Sequence, residues 1–157
     1  MLSPQAIEKI DYELTKYPAD QRQAAVMSAL RIVQTERGWL SKESITEVAQ
    51  YLGMPEIAAM EVATFYNMYD LAPVGKFKIT VCTNISCMLR DSDEIVDHLK
   101  AKLGVGFNEV TPDGKFCLKE GECMGACGGA PLMIVNNHTM HEFLTPAKVD
   151  AILDELK

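Results

Sequence analysis

The chain has 157 residues, a formal net charge of −7 and a hydrophobic fraction of 48%, with no run of Lys or Arg. That length suits one domain with a substantial extension, and the apolar content is enough for a buried core. The acidic balance excludes nucleic acid and an anionic membrane surface as ligands, since both need grouped cations. No stretch approaches the ~18–20 apolar residues that span a bilayer. The segment Met1-Leu2-Ser3-Pro4-Gln5 lacks the basic-then-apolar pattern of a secretory leader. The expectation is a protein with no direct membrane insertion, held in a reducing cytoplasmic compartment where structural disulfides are rare. Five cysteines, an odd number, also speak against a disulfide framework.

Residues 1–72 read as a helical bundle. Ser3-Pro4 sets an N-cap and a first helical position, and Ile7, Ile10, Leu14 and Tyr17 then recur at helical spacing. Pro18-Ala19-Asp20 is expected to break this helix and cap the next, which carries Val26, Leu30 and Val33 on one face and ends near Gly38. Ser41 opens a third helix with Ile45, Val48 and Leu52 inward, stopped by Gly53, and Pro55 starts a fourth that runs to about Tyr66. Trp39 beside Gly38 marks a turn. The aromatic and Met cluster Phe65-Tyr66-Asn67-Met68-Tyr69 reads as core packing at a helix end, with a partner-docking surface as the alternative. No titratable constellation falls in this part.

After the linker Ala72-Pro73-Val74-Gly75 the pattern changes. Lys76 to Val81 alternates polar and apolar residues, as a half-buried strand does, and leads into Cys82. Asp91 and Glu94 have the spacing of a capping box ahead of a helix with Ile95, Val96, Leu99 and Leu103 inward, closed by Gly104. Lys115 to Lys119 is a short strand, Leu132 to Val135 and Met140 to Phe143 form a hairpin across Asn136-Asn137, and Thr145-Pro146 starts a last helix. The order β-α-β-β-β-α describes an α/β (α+β) unit, with the cysteine pairs in loops beyond strand ends.

Cys82 and Cys87 form a C-x4-C pair, and Cys123 and Cys127 a C-x3-C pair set among Gly121, Gly125, Gly128, Gly129 and Pro131. Glycines let a backbone take positive φ and approach a bulky ligand, which suits main-chain N–H groups crowding around thiolates. Structural zinc usually draws on tighter C-x2-C knuckles, and a redox dithiol needs two residues between its thiols. Two separated pairs match a two-iron cluster, which takes two cysteines per iron. Chemistry therefore favours the 2Fe–2S cluster and leaves a zinc-stabilised interaction module open. Cys117 sits inside a strand pattern as a small buried residue. His98, His138 and His141 lie in polar settings and are expected at the surface.

Val81-Cys82-Thr83-Asn84-Ile85-Ser86-Cys87-Met88-Leu89-Arg90, Thr111 to Phe116 and Glu122-Cys123-Met124-Gly125-Ala126-Cys127-Gly128 resemble the thioredoxin-like 2Fe–2S ferredoxins. More closely, with Gly38-Trp39-Leu40 and Ala63-Thr64-Phe65-Tyr66, the whole chain is similar to the small iron–sulfur subunits of NADH:quinone oxidoreductases. The resemblance implies a helical domain over residues 1–72 and a thioredoxin-like 2Fe–2S domain over 73–157. It implies that Cys82, Cys87, Cys123 and Cys127 ligate one 2Fe–2S cluster, with Cys117 outside the set, and that Ala130–Pro131 is cis. It further implies an electron-transfer role beside a partner flavoprotein that carries NADH and FMN, together with further iron–sulfur subunits, on the cytoplasmic face of the inner membrane. The chain itself has no Gly-x-Gly-x-x-Gly after a strand, so NADH and FMN are expected on the partner. The same subunit type occurs in NAD-linked formate dehydrogenases and NAD-reducing hydrogenases.

Overall fold

The computed structural model describes residues 1–156, and the chain divides into two compact units, Met1–Pro73 and Val74–Lys157. The first unit holds α1 (Pro4–Leu14), α2 (Val26–Arg37), α3 (Lys42–Leu52) and α4 (Glu56–Phe65). Its caps explain its boundaries. The Ser3 hydroxyl accepts the Ala6 N–H at 3.0 Å and the Ser41 hydroxyl accepts the Ser44 N–H at 3.2 Å, each relieving an orphan donor of a first turn. Gly38 ends α2 at φ 85°, a conformation that costs a residue with a Cβ far more than it costs glycine. Ile10, Leu30, Ile45 and Val48 are fully buried and form the centre of this unit.

Two expectations in this unit are corrected. α1 stops at Leu14, so Tyr17 lies beyond it and is partly exposed. Asp20 does not cap α2; residues Arg22–Ala25 form a 3-10 turn that runs straight into it. The turn supplies Gln23 O to the Val26 N–H, so the helix start needs no side-chain cap. The aromatic cluster is core packing only in part. Tyr69 is 5% exposed and donates its hydroxyl to Met27 O at 2.9 Å, whereas Phe65, the last residue of α4, is 79% exposed. Buried Gln34 fastens the chain on either side of Tyr69, donating to Met68 O at 2.9 Å and accepting the Asp70 N–H at 2.7 Å.

The second unit is built on a five-stranded sheet in the order β2-β3-β1-β4-β5. Its strands are β1 (Phe77–Cys82), β2 (Glu109–Val110), β3 (Phe116–Gly121), β4 (Met133–Val135) and β5 (Thr139–His141), and its helices α5 (Ile85–Met88), α6 (Ser92–Leu103) and α7 (Pro146–Glu155). β1 and β3 are parallel, and the connection between them carries α6, as a parallel pair requires. β4 pairs antiparallel with β1 and with β5, the latter through the expected hairpin. Ile79, Leu99, Leu118, Met133 and Val149 are fully buried between sheet and helices. The mixed α/β architecture is as expected, and the Ala130–Pro131 bond is cis.

Here too the structure differs in detail. β1 is not half-buried: as the central strand it is covered on both faces, and Lys78 is only 3% exposed. Asp91 precedes α6 but forms no capping box, because its left-handed backbone (φ 64°) departs from the extended geometry a capping side chain needs. α5 and β2 are too short to leave a periodic signal. Among the described residues no helix is long and apolar enough to cross a membrane.

Candidate metal centre

The strand register brings the cysteines together. Cys82, the last residue of β1, lies opposite Gly121, the last residue of its parallel partner β3. The Thr83 N–H donates to Gly121 O at 3.0 Å, and the Cys82 N–H donates to Leu132 O at 3.1 Å, just ahead of antiparallel β4. The loops after β1 and β3 and the entry to β4 thus meet at one sheet end. In open α/β sheets this carboxyl end of the parallel strands is where ligands are received.

Each loop then aims its thiols. Asn84 caps α5 by accepting the Ile85 N–H on Oδ1 at 2.7 Å, and the single turn that follows returns Cys87 towards Cys82. Cys87 is therefore in a short helix and Cys82 in a strand, which corrects the expectation that both pairs lie wholly in loops. These two are 1% and 3% exposed and pack with Ala130 and Leu132, with Met124 and Ala126 beside them. The second pair is presented differently. Gly125, at φ 73°, turns the loop so that its own N–H donates to Cys123 Sγ at 3.4 Å, and both Cys123 and Cys127 are exposed. A Cβ at Gly121 would strike Met124 and Thr80, and one at Gly129 would strike Glu142, so both sites demand glycine by close approach.

All four thiols line one cavity of about 90 Å³, with Asn84, Ser86, Met124, Gly125, Ala126 and Leu132 completing its wall. At ~30 Å³ per water this is room for a few atoms, and it falls far short of the ~300 Å³ or more of an organic cofactor pocket. A much larger groove, about 590 Å³ between α1 and α2, contains no thiol.

The electrostatics favour a cationic occupant. Burial, then the neighbouring Cys82 thiol, push Cys87 up to about 11, against a partial opposing pull from the Leu132 backbone N–H. The protein alone therefore keeps this thiol protonated at neutral pH. A metal centre supplies the positive charge that makes adjacent thiolates tolerable, releasing their protons as it binds. Among the described residues no three His, Cys, Asp or Glu side chains converge as ligands for a single metal ion. A two-iron, two-sulfide core needs only two thiolates at each iron, and its sulfides accept hydrogen bonds from backbone N–H groups. The donor set fits that core.

The remaining candidates lie elsewhere. Cys117 is in β3, 1% exposed and outside the cavity wall. His98 is partly buried and bonds Asp150 at 2.9 Å, a contact between α6 and α7. His138 is exposed in the hairpin turn. His141 is half-buried on β5, with its pKa lowered by burial. Sequence reasoning missed Asn84, Ser86 and Leu132 as wall residues; their only signal was adjacency to the thiols or to the proline loop.

The chain matches the sequence profile of the family described as thioredoxin-like [2Fe-2S] ferredoxin over residues 10–157. It is 40% identical over 148 residues to NADH-quinone oxidoreductase subunit 2 of Thermus thermophilus, covering 94% of this chain and 82% of that protein. It is 46% identical over 145 residues to an NADH-quinone oxidoreductase subunit of Rickettsia bellii, covering 92% of this chain and 86% of that protein. Among solved structures, a chain of an NAD+-reducing [NiFe]-hydrogenase superposes with a TM-score of 0.71 at 20% identity, covering 89% of this chain and 24% of that one. With its four thiols gathered at one sheet end and this match along nearly its whole length, the chain belongs to the thioredoxin-like [2Fe-2S] ferredoxin family.

Proposed function

We propose that this chain is the electron-transfer subunit of an NADH:quinone oxidoreductase, with one 2Fe–2S cluster held by Cys82, Cys87, Cys123 and Cys127. The observation that carries the reading is the convergence of those four thiols on one small cavity at the sheet end. Whole-length identity of 40–46% to subunits of NADH-quinone oxidoreductases supports the host. The likeness to the hydrogenase chain, at 20% identity, speaks for the fold alone and does not favour an NAD-reducing hydrogenase or formate dehydrogenase as host.

The cluster supplies a one-electron store beside the two-electron chemistry of a flavin. The chain's own residues do the rest. Ala130, Leu132, Met124 and Ala126 shield the Cys82–Cys87 side from water. The N–H groups of Gly125 and Leu132 face the sulfurs of Cys123 and Cys87 and offset negative charge there. The exposed Cys123–Cys127 side is open to a partner. In this reading residues 1–72 and 73–157 act as a helical domain and a cluster domain. FMN and NADH sit on the neighbouring flavoprotein, further iron–sulfur subunits complete the assembly, and the chain is peripheral on the cytoplasmic face of the inner membrane.

Addition of NADH to the intact, anaerobically isolated complex tests the role. The EPR signal of this chain's cluster, assigned by its loss in Cys123→Ser, is expected to respond to the poise of the NADH/NAD+ couple. A complex that contains the chain with stoichiometric zinc and no such signal would favour the zinc-stabilised interaction module instead.

A further inference from the structure

Besides the cysteines, the cavity wall carries two side chains with polar hydrogens, Asn84 and Ser86. Met124, Gly125, Ala126 and Leu132 have none to offer. The Asn84 carboxamide is held at the start of α5, where its oxygen accepts the Ile85 N–H at 2.7 Å and its NH2 group is the second side-chain donor of the wall. Ser86 differs. It sits on the same single turn, directly before Cys87, and among the described residues its hydroxyl has no partner within the protein. A hydroxyl on an exposed helical turn normally faces water or bonds back to the preceding turn. This residue, itself exposed, shares the cavity wall with four thiols, of which Cys82 and Cys87 are buried in an apolar cradle.

We propose that Ser86 is a tuning donor, its hydroxyl hydrogen-bonding a sulfur of the centre and favouring the reduced state. The inference rests on the cluster reading above and adds a residue to it. Reduction adds one negative charge to the centre, and a donor interacts more strongly with the more negative acceptor. The bond thus strengthens on reduction and raises the reduction potential. Hydrogen bonds beyond the ligands are a main lever on such potentials, alongside burial and net charge. The expected size is roughly threefold to tenfold in the reduction equilibrium constant, where tenfold is 59 mV for a one-electron couple.

The test compares Ser86→Thr with Ser86→Val, which share a shape and differ in the hydroxyl, and adds Ser86→Ala as a smaller control. Each full-length protein is titrated with dithionite while the cluster's EPR signal is followed, and its Fe–S vibrational bands are recorded in H2O and D2O. The threonine variant is expected to keep the wild-type potential and the D2O shift. The valine and alanine variants should titrate lower by the stated factor and show a smaller D2O shift, that of the backbone N–H donors alone. Equal potentials in the threonine and valine variants, with unchanged D2O shifts, would overturn the proposal while leaving the cluster in place. A wild-type protein with no iron–sulfur signal would instead defeat the cluster reading, and the proposal with it.

Discussion

The two cysteine pairs reach one cavity by opposite routes. Cys82 and Cys87 belong to the core: one ends the central strand, the other returns on a capped turn, and both lie among apolar side chains. Cys123 and Cys127 belong to the surface, held out on a loop shaped by Gly125 and by the close packing of Gly121 and Gly129. One pair is fixed by folding, the other by loop geometry. A centre held by all four, as proposed above, would be anchored on a rigid scaffold and open on one side.

Serine substitutions break this comparison most sharply. Any of Cys82→Ser, Cys87→Ser, Cys123→Ser or Cys127→Ser should abolish the native cluster, measured by iron, sulfide and EPR. The pairs should then separate in the cluster-free protein. A hydroxyl at position 82 or 87 is expected to cost about 1–3 kcal/mol in urea unfolding for want of a buried partner. At 123 or 127 the change should stay within about 0.5 kcal/mol. Equal costs would erase the contrast. Glycines give the next effect. Gly121→Ala drives a methyl into Met124 and Thr80 and should destabilise by roughly 1–3 kcal/mol. Gly128→Ala meets nothing within 4 Å and should be neutral in thermal unfolding. Cys117→Ser, at a buried position outside the cavity, should lower stability and leave the cluster spectrum intact.

The smallest effect is in pH. Folding raises Cys87 from 9.0 to about 11, so the folded state favours the protonated thiol. In the cluster-free chain the associated stability is complete below pH 9.0 and is lost as pH rises towards about 11. Denaturant unfolding across that range should show the decline in wild type and a smaller one in Cys87→Ala. Parallel curves would mean that the thiol is not desolvated as described.

Much of this was legible in the sequence because strong local signals agreed with the tertiary outcome. Ser3, Ser41 and Thr145 cap the helices that their spacing assigns to them, and Gly38, Gly53 and Gly104 end theirs. The cysteine spacing marks the four thiols without any knowledge of the fold. Other features depend on neighbours that a one-dimensional pattern does not contain. Lys78 looks like a solvent-facing strand residue until β1 proves central. Asp91 has capping-box spacing but the wrong backbone angle. Ser86 and Leu132 become site residues only when β3 and β4 are placed on either side of β1.

The most direct test of the central claim is anaerobic purification of the chain, with iron, sulfide and zinc analysis and EPR before and after dithionite. The account predicts two irons and two sulfides per chain and a signal that appears only on reduction. One zinc per chain from iron-replete expression, with no signal on reduction, would contradict it.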